Sequence, residues 1–97
     1  MKIVRFEDII AWQKGRVLAV KIYKLFENSK NFGFKDQIFR AVLSISNNIA
    51  EGFERNTDKD FIRFLVIAKG SNSEVKSMLF IAKDLEFINE NLIKQLL

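Results

Sequence analysis

The run Asp58-Lys59-Asp60-Phe61-Ile62-Arg63-Phe64-Leu65-Val66-Ile67-Ala68-Lys69-Gly70-Ser71-Asn72-Ser73-Glu74-Val75-Lys76-Ser77-Met78-Leu79-Phe80-Ile81-Ala82-Lys83-Asp84-Leu85 sets Phe61, Phe64, Ala68, Ser71, Val75, Met78, Ala82 and Leu85 at alternating spacings of three and four. At roughly 100° of rotation per residue these side chains form one stripe, the seam by which helices pack into a bundle. Thr57 and Asp60 have the spacing of a capping box, so the pattern predicts a helix over 58–86. Working outward, the chain has no Pro and only four Gly, so its breaks must fall in polar clusters: Asn28 to Gly33, Arg55 to Asp58, and Asn89 to Asn91. Helices are therefore expected over 8–27, 35–54, 58–86 and from 90 onward. The fold class is all-α: an antiparallel up-down helical bundle of three long helices plus a short or truncated fourth, in one domain spanning 1–97.

The first helix carries Ala11, Gly15, Leu18, Ile22 and Leu25 on one stripe, flanked by Trp12, Ala19 and Phe26, and is expected to hold Lys14, Lys21 and Lys24 opposite. In the second, Ile38, Val42, Ile45, Ile49 and Phe53 form the core stripe. Gln37, Arg40, Ser44, Asn47, Asn48, Glu51 and Arg55 fill a separate polar sector about 100° wide. Ser44, Asn47, Asn48 and Gly52 are poor residues for a helix interior, and a local rule broken in this way points to an interface or a ligand. Alternatively Arg40, Asn48, Glu51 and Arg55 satisfy one another at helical spacing, with Glu51 and Arg55 in the favourable order. Either way Asn48 and Glu51 are expected to be at least partly buried, in a network with Arg40 or Arg55. Gly15, Ala68 and Ser71 are small enough to let neighbouring backbones approach closely.

Composition closes off several chemistries. With no Cys and no His, disulfides, thiolate nucleophiles, imidazole acid–base chemistry and Cys-rich zinc sites are excluded. Asp58 and Asp60 fall where a helix start favours negative charge, so the acidic cluster they form with Glu51 and Glu54 reads as capping, not as a metal site. No nucleophile–base pair or phosphate loop can be assembled, so neither an enzyme nor a cofactor is expected. The start, Met1 to Phe6, lacks the apolar core of a signal peptide, and no run approaches the roughly 18 apolar residues of a membrane span. A cytoplasmic location without membrane contact is expected. Hydrophobic residues make up 48% and charged ones 29%, with 97 residues in all, so the chain should fold, yet a domain of this size buries only somewhat over about 60% of its unfolded surface. Partners would add what the core lacks.

Two stretches together resemble a known family: Phe6-Glu7-Asp8-Ile9-Ile10-Ala11-Trp12-Gln13-Lys14 and Ser44-Ile45-Ser46-Asn47-Asn48-Ile49-Ala50-Glu51-Gly52-Phe53-Glu54-Arg55. With Phe32-Gly33, Gln37, Arg40-Ala41, Asp60 to Leu65, Ala68, Gly70-Ser71 and Glu74, the chain is similar over nearly its whole length to the four-helix bundle proteins encoded by intervening sequences in bacterial 23S ribosomal RNA genes. The resemblance implies a left-turning antiparallel bundle. It also extends to the accessory proteins of diversity-generating retroelements, which form pentameric barrels and bind nucleic acid, and it implies no enzymatic activity. Members often carry a proline where Ser46 stands, so any kink there should be weaker. Only Glu90 to Leu97 remain for a fourth helix, about 12 Å.

Two surfaces lie outside this frame. Ile62, Val66, Phe80 and Ile81 fall off the seam of the third helix, and a second apolar face marks burial on two sides or a subunit interface, so a homo-oligomer is expected, a pentamer by the resemblance. Sixteen basic against twelve acidic residues leave a charge of +4. Lys14, Arg16, Lys21 and Lys24, repeated around a ring, would form a basic surface for RNA or DNA, gripping the phosphate backbone since no aromatic side chain interleaves with them. The reading is a non-enzymatic homo-oligomeric scaffold for structured RNA or DNA. Its alternative is a protein-binding adaptor that uses a helical groove.

Overall fold

The computed structural model describes residues 2–96; Met1 and Leu97, the limits of the expected domain, lie outside the described residues. A single 3-10 turn, Phe6–Asp8, precedes α1 (Ile10–Phe26), α2 (Phe32–Phe53), α3 (Asp58–Asp84) and α4 (Glu90–Leu96), and no strand occurs among the described residues. The four helices run up, down, up and down. At 1.5 Å per residue α3 is about 40 Å long, and it sets the 43 Å long axis of the molecule.

Helix ends differ from the sequence expectation by a few residues, each for a local reason. The turn at Phe6–Asp8 closes on itself when Ile9 N–H donates to the Phe6 carbonyl at 2.9 Å. Ile9 is then extended, so α1 starts at Ile10 and not at residue 8. α2 begins at Phe32, three residues early: the Lys35 N–H donates to the Asn31 carbonyl at 2.9 Å, and the added turn brings Phe34 against Phe26 and Phe87, with ring centroids 5.7 and 5.3 Å away. Burying that ring favours the extra turn. α3 starts where expected, with Thr57 Oγ1 accepting from Asp60 N–H at 3.1 Å.

α3 stops two residues short of the expected 86. Glu86 takes a left-handed backbone, φ 61°, with Glu86 N–H donating to the Lys83 carbonyl and Phe87 N–H to the Ala82 carbonyl. That bond pair is a Schellman motif, which turns the chain back. Leu85 is thereby removed from the seam and is 54% exposed, whereas Leu79, outside the expected stripe, is wholly buried. Leu79 faces Leu18 of α1 and Leu96 of α4, so the core bends around α3 near its end. α4 starts at residue 90 as expected, and Asn89 in the preceding loop caps it: its Oδ1 accepts from Leu92 N–H at 2.9 Å.

α1 and α3 each pack along α2 and scarcely touch one another. Ile22, Phe26, Ile38, Val42, Val75 and Leu79 fill the centre. Two glycines set the spacing. A Cβ on Gly15 would stand 3.1 Å from Ile45 Cγ2 and 3.4 Å from Ser46 Cβ, and one on Gly52 would stand 2.6 Å from Phe64 Cβ. α2 passes through Ser46 without a break. Among the described residues α4 lies in part of the fourth corner of the bundle.

Candidate basic groove and apolar faces

A groove runs between α1 and α3. Ile45 and Ile49 of α2 form its floor, Ala11, Gly15 and Leu18 one wall, and Leu65 and Ala68 the other, around a volume of about 330 Å³. A second cleft, between α1 and the end of α4, is lined by Ile10, Val17, Leu18 and Leu96. These walls are apolar because they carry the inward stripes of α1 and α3.

Lysines edge both clefts. Lys14 and Lys21 stand on the α1 side, Lys24 continues the row beside Leu25 and Leu92, and Lys69 and Lys76 stand on the α3 side. None of these clefts has a carboxylate among its described lining residues. Lys14 and Lys21 therefore flank the core stripe of α1 and do not lie opposite it, with Ile10 and Val17 exposed among them. Arg16 does not join the row, because its guanidinium lies 5.6 Å from the Trp12 ring centroid. Lys69 and Lys76 escaped the sequence reading, although each lies beside a residue of the seam, Ala68 and Val75. Helical spacing alone could have flagged them.

The polar sector of α2 divides. Ser44, Asn48 and Ser71 form a half-buried network across α2 and α3: Asn48 Nδ2 donates to the Ser44 carbonyl and to Ser44 Oγ, both at 2.7 Å, and Ser71 Oγ donates to Ser44 Oγ at 2.8 Å. Gln37 Nε2 donates to Glu74 Oε2 at 3.3 Å on the surface. Glu51 is exposed, contrary to expectation, and pairs with Arg55 at 2.6 Å. The Arg55 guanidinium also lies 4.9 Å from the Phe64 ring centroid, with Arg63 at 5.0 Å from the same ring. Arg55 thus leans on α3, and no buried charge is involved. Arg40 is exposed and takes no part in the Asn48 network. Each ion pair here is exposed, so each contributes at most about 1 kcal/mol.

Of the apolar residues off the seam, Ile62 and Val66 are 60% and 64% exposed, and Phe80 and Ile81 are each 47% exposed. They form two patches. Val66 and Phe80 are fourteen positions apart in the sequence, about 20 Å along the helix, with Lys69, Ser73 and Ser77 between them. Ile67 and Leu85, also exposed, extend the patches. Among the described residues no group of His, Cys, Asp and Glu side chains comes together to hold a metal ion, and no helix is long and apolar enough to cross a membrane.

The fold has a solved counterpart. A protein of unknown function from the S23 ribosomal protein family of Bacteroides thetaiotaomicron VPI-5482, determined at 1.70 Å resolution, superposes with a TM-score of 0.83 at 28% identity, covering 90% of this chain and 84% of that one. No curated protein matches the chain. The profile of the 23S rRNA-intervening sequence protein family matches residues 7–97, a span that takes in all four helices, both close-approach glycines and the Ser44–Asn48–Ser71 network. The chain belongs to the 23S rRNA-intervening sequence protein family.

Proposed function

We propose that the protein is a non-enzymatic, homo-oligomeric helical scaffold that holds structured RNA or DNA through the phosphate backbone. The observation that carries the reading is the outer face of α3, where Ile62 and Val66 are exposed on the side turned away from the core. Leaving such side chains in water costs free energy that a subunit contact recovers, at about 25 cal/mol per Å² of apolar area covered. Assembly then repeats Lys14, Lys21 and Lys24 in every subunit. One chain carries a net charge of only +4. A closed ring multiplies that charge and concentrates it, and displaced counterions favour binding to a polyanion.

Binding is tested by changing Lys14, Lys21 and Lys24 together to Gln and titrating a structured RNA and an unrelated duplex DNA at several salt concentrations by fluorescence anisotropy. All three side chains are exposed, so folding is preserved. The expected result is weaker binding to both ligands, with the log–log salt slope shallower by about 2.7 per engaged subunit if each lysine meets one phosphate. Unchanged affinity and slope, or no binding by the unsubstituted protein at low salt, would remove nucleic acid from the reading.

A further inference from the structure

We propose that the outer face of α3 binds the same face of a second copy of this chain, the two helices lying antiparallel about a two-fold axis beside Ser71 and Asn72. The inference rests on the assembly reading above and names the surface that α3 meets. Val66, Gly70, Ser73 and Ser77 are exposed along the middle of that face. Each stands nine positions, half a rotation of the helix, from a buried residue: Val75, Leu79, Ala82 and Ala68 in turn. The face therefore looks directly away from the core and from α4, toward which Leu79 points. Gly70 has no explanation within the chain. A Cβ there would meet nothing within 4 Å, yet glycine in the interior of a 27-residue helix weakens it. Gly15 and Gly52 answer to close neighbours in their own chain, whereas the neighbour that Gly70 accommodates stands outside it.

Turned end for end, the face complements itself. Gly70, Ser73 and Ser77 let two backbones approach at the centre, while Ile62 and Val66 stand exposed toward one end and Phe80 and Ile81 toward the other. Rotating a copy about a point midway between residues 71 and 72 brings Gly70 level with Ser73, Val66 with Ser77 and Ile62 with Ile81 of the second copy. Each end then packs Ile62 and Val66 of one copy against Phe80 and Ile81 of the other, so both apolar patches leave water in a single contact. The same rotation sets Lys59, near the start of α3, level with Asp84 at its end, and both are exposed. A parallel pair would instead set lysine beside lysine and aspartate beside aspartate, with the helix dipoles aligned, so charge selects the antiparallel arrangement. Lys69 and Glu74 border the face, where long side chains keep their charges in water. A contact of this kind is isologous and gives an even number of subunits.

Because the chain has no Cys, introduced cysteines report the contact without background. Lys59 and Asp84 are twenty-five residues apart, about 38 Å along the helix. In the antiparallel pair neither Lys59→Cys nor Asp84→Cys can form a disulfide with its own kind, whereas an equimolar mixture of the two variants should give the mixed dimer on mild oxidation. Ser73→Cys, beside the axis, should cross-link with itself. Gly70→Leu places its side chain where the chain itself offers no obstacle, so it should leave the circular dichroism spectrum unchanged and halve the mass measured by light scattering. Self-cross-linking of Lys59→Cys means a parallel contact and overturns the proposal, as does an unchanged mass for Gly70→Leu. A multimeric mass with no cross-link from Ser73→Cys or from the mixture overturns this contact alone and leaves assembly to another surface. Monomer mass for the unsubstituted protein ends the assembly reading and this contact together.

Discussion

A methyl group on residue 52 would arrive 2.6 Å from Phe64 Cβ, an atom fixed to its backbone, whereas one on residue 15 would meet the movable Ile45 Cγ2 at 3.1 Å. Alanine gains about 1 kcal/mol of helix propensity over glycine, and overpacking costs typically 1–3 kcal/mol. The clash wins at position 52 and is nearly offset at position 15. Gly52→Ala should lower stability by about 2 kcal/mol and Gly15→Ala by less than about 0.5 kcal/mol, read from urea unfolding midpoints. The polar sector gives a second contrast. Asn48→Ala removes the donor that Ser44 accepts in a half-buried site and should cost about 1–2 kcal/mol. Glu51→Ala loses only an exposed pair and should cost no more than about 0.5 kcal/mol; equal losses in the two variants would mean that burial does not separate them. The order Glu51 then Arg55 was legible, because an i,i+4 pair lies on one helix. The exposure of Glu51 was not, since rotation about α2 says nothing of how far α3 reaches over that side.

Helix ends were legible where a side chain makes the cap and illegible where the backbone does. Thr57 announces the start of α3, and Thr57→Ala should cost about 1 kcal/mol. The end of α3 rests on the left-handed Glu86, a conformation costing a non-glycine residue roughly 1–2 kcal/mol. Nothing in the identity of a glutamate signals it. Glu86→Gly relieves that cost against the greater freedom of glycine in the unfolded chain, and should raise stability by about 0.5–1 kcal/mol. Thermal unfolding should then move up by a few degrees for Glu86→Gly and down by a similar amount for Thr57→Ala. No rise for Glu86→Gly would mean that the glutamate side chain makes a compensating contact. The early start of α2 has the same character, because it depends on Phe34 finding Phe26 and Phe87 from two other elements.

For the molecule as a whole, the outer face of α3 carries the prediction of assembly. Ile62 and Val66 are exposed, so changing both to Glu should leave the monomer's fold intact while placing like charges in any contact. Light scattering coupled to size exclusion should report several subunits for the unsubstituted protein and one for the variant; a folded unsubstituted protein of monomer mass ends the scaffold proposal. The sequence by itself determined four helices, their alternating directions and most of their inward faces, because stripes such as Ile38, Val42, Ile45 and Ile49 repeat with the period of the helix and water excludes them wherever the neighbours stand. Tertiary structure alone decided that Leu79 and not Leu85 is buried, and that Lys14 and Lys69 edge one apolar groove. Periodicity fixes the direction of a side chain about its own helix axis, but what stands in that direction depends on how closely Gly15 and Gly52 draw α1 and α3 onto α2.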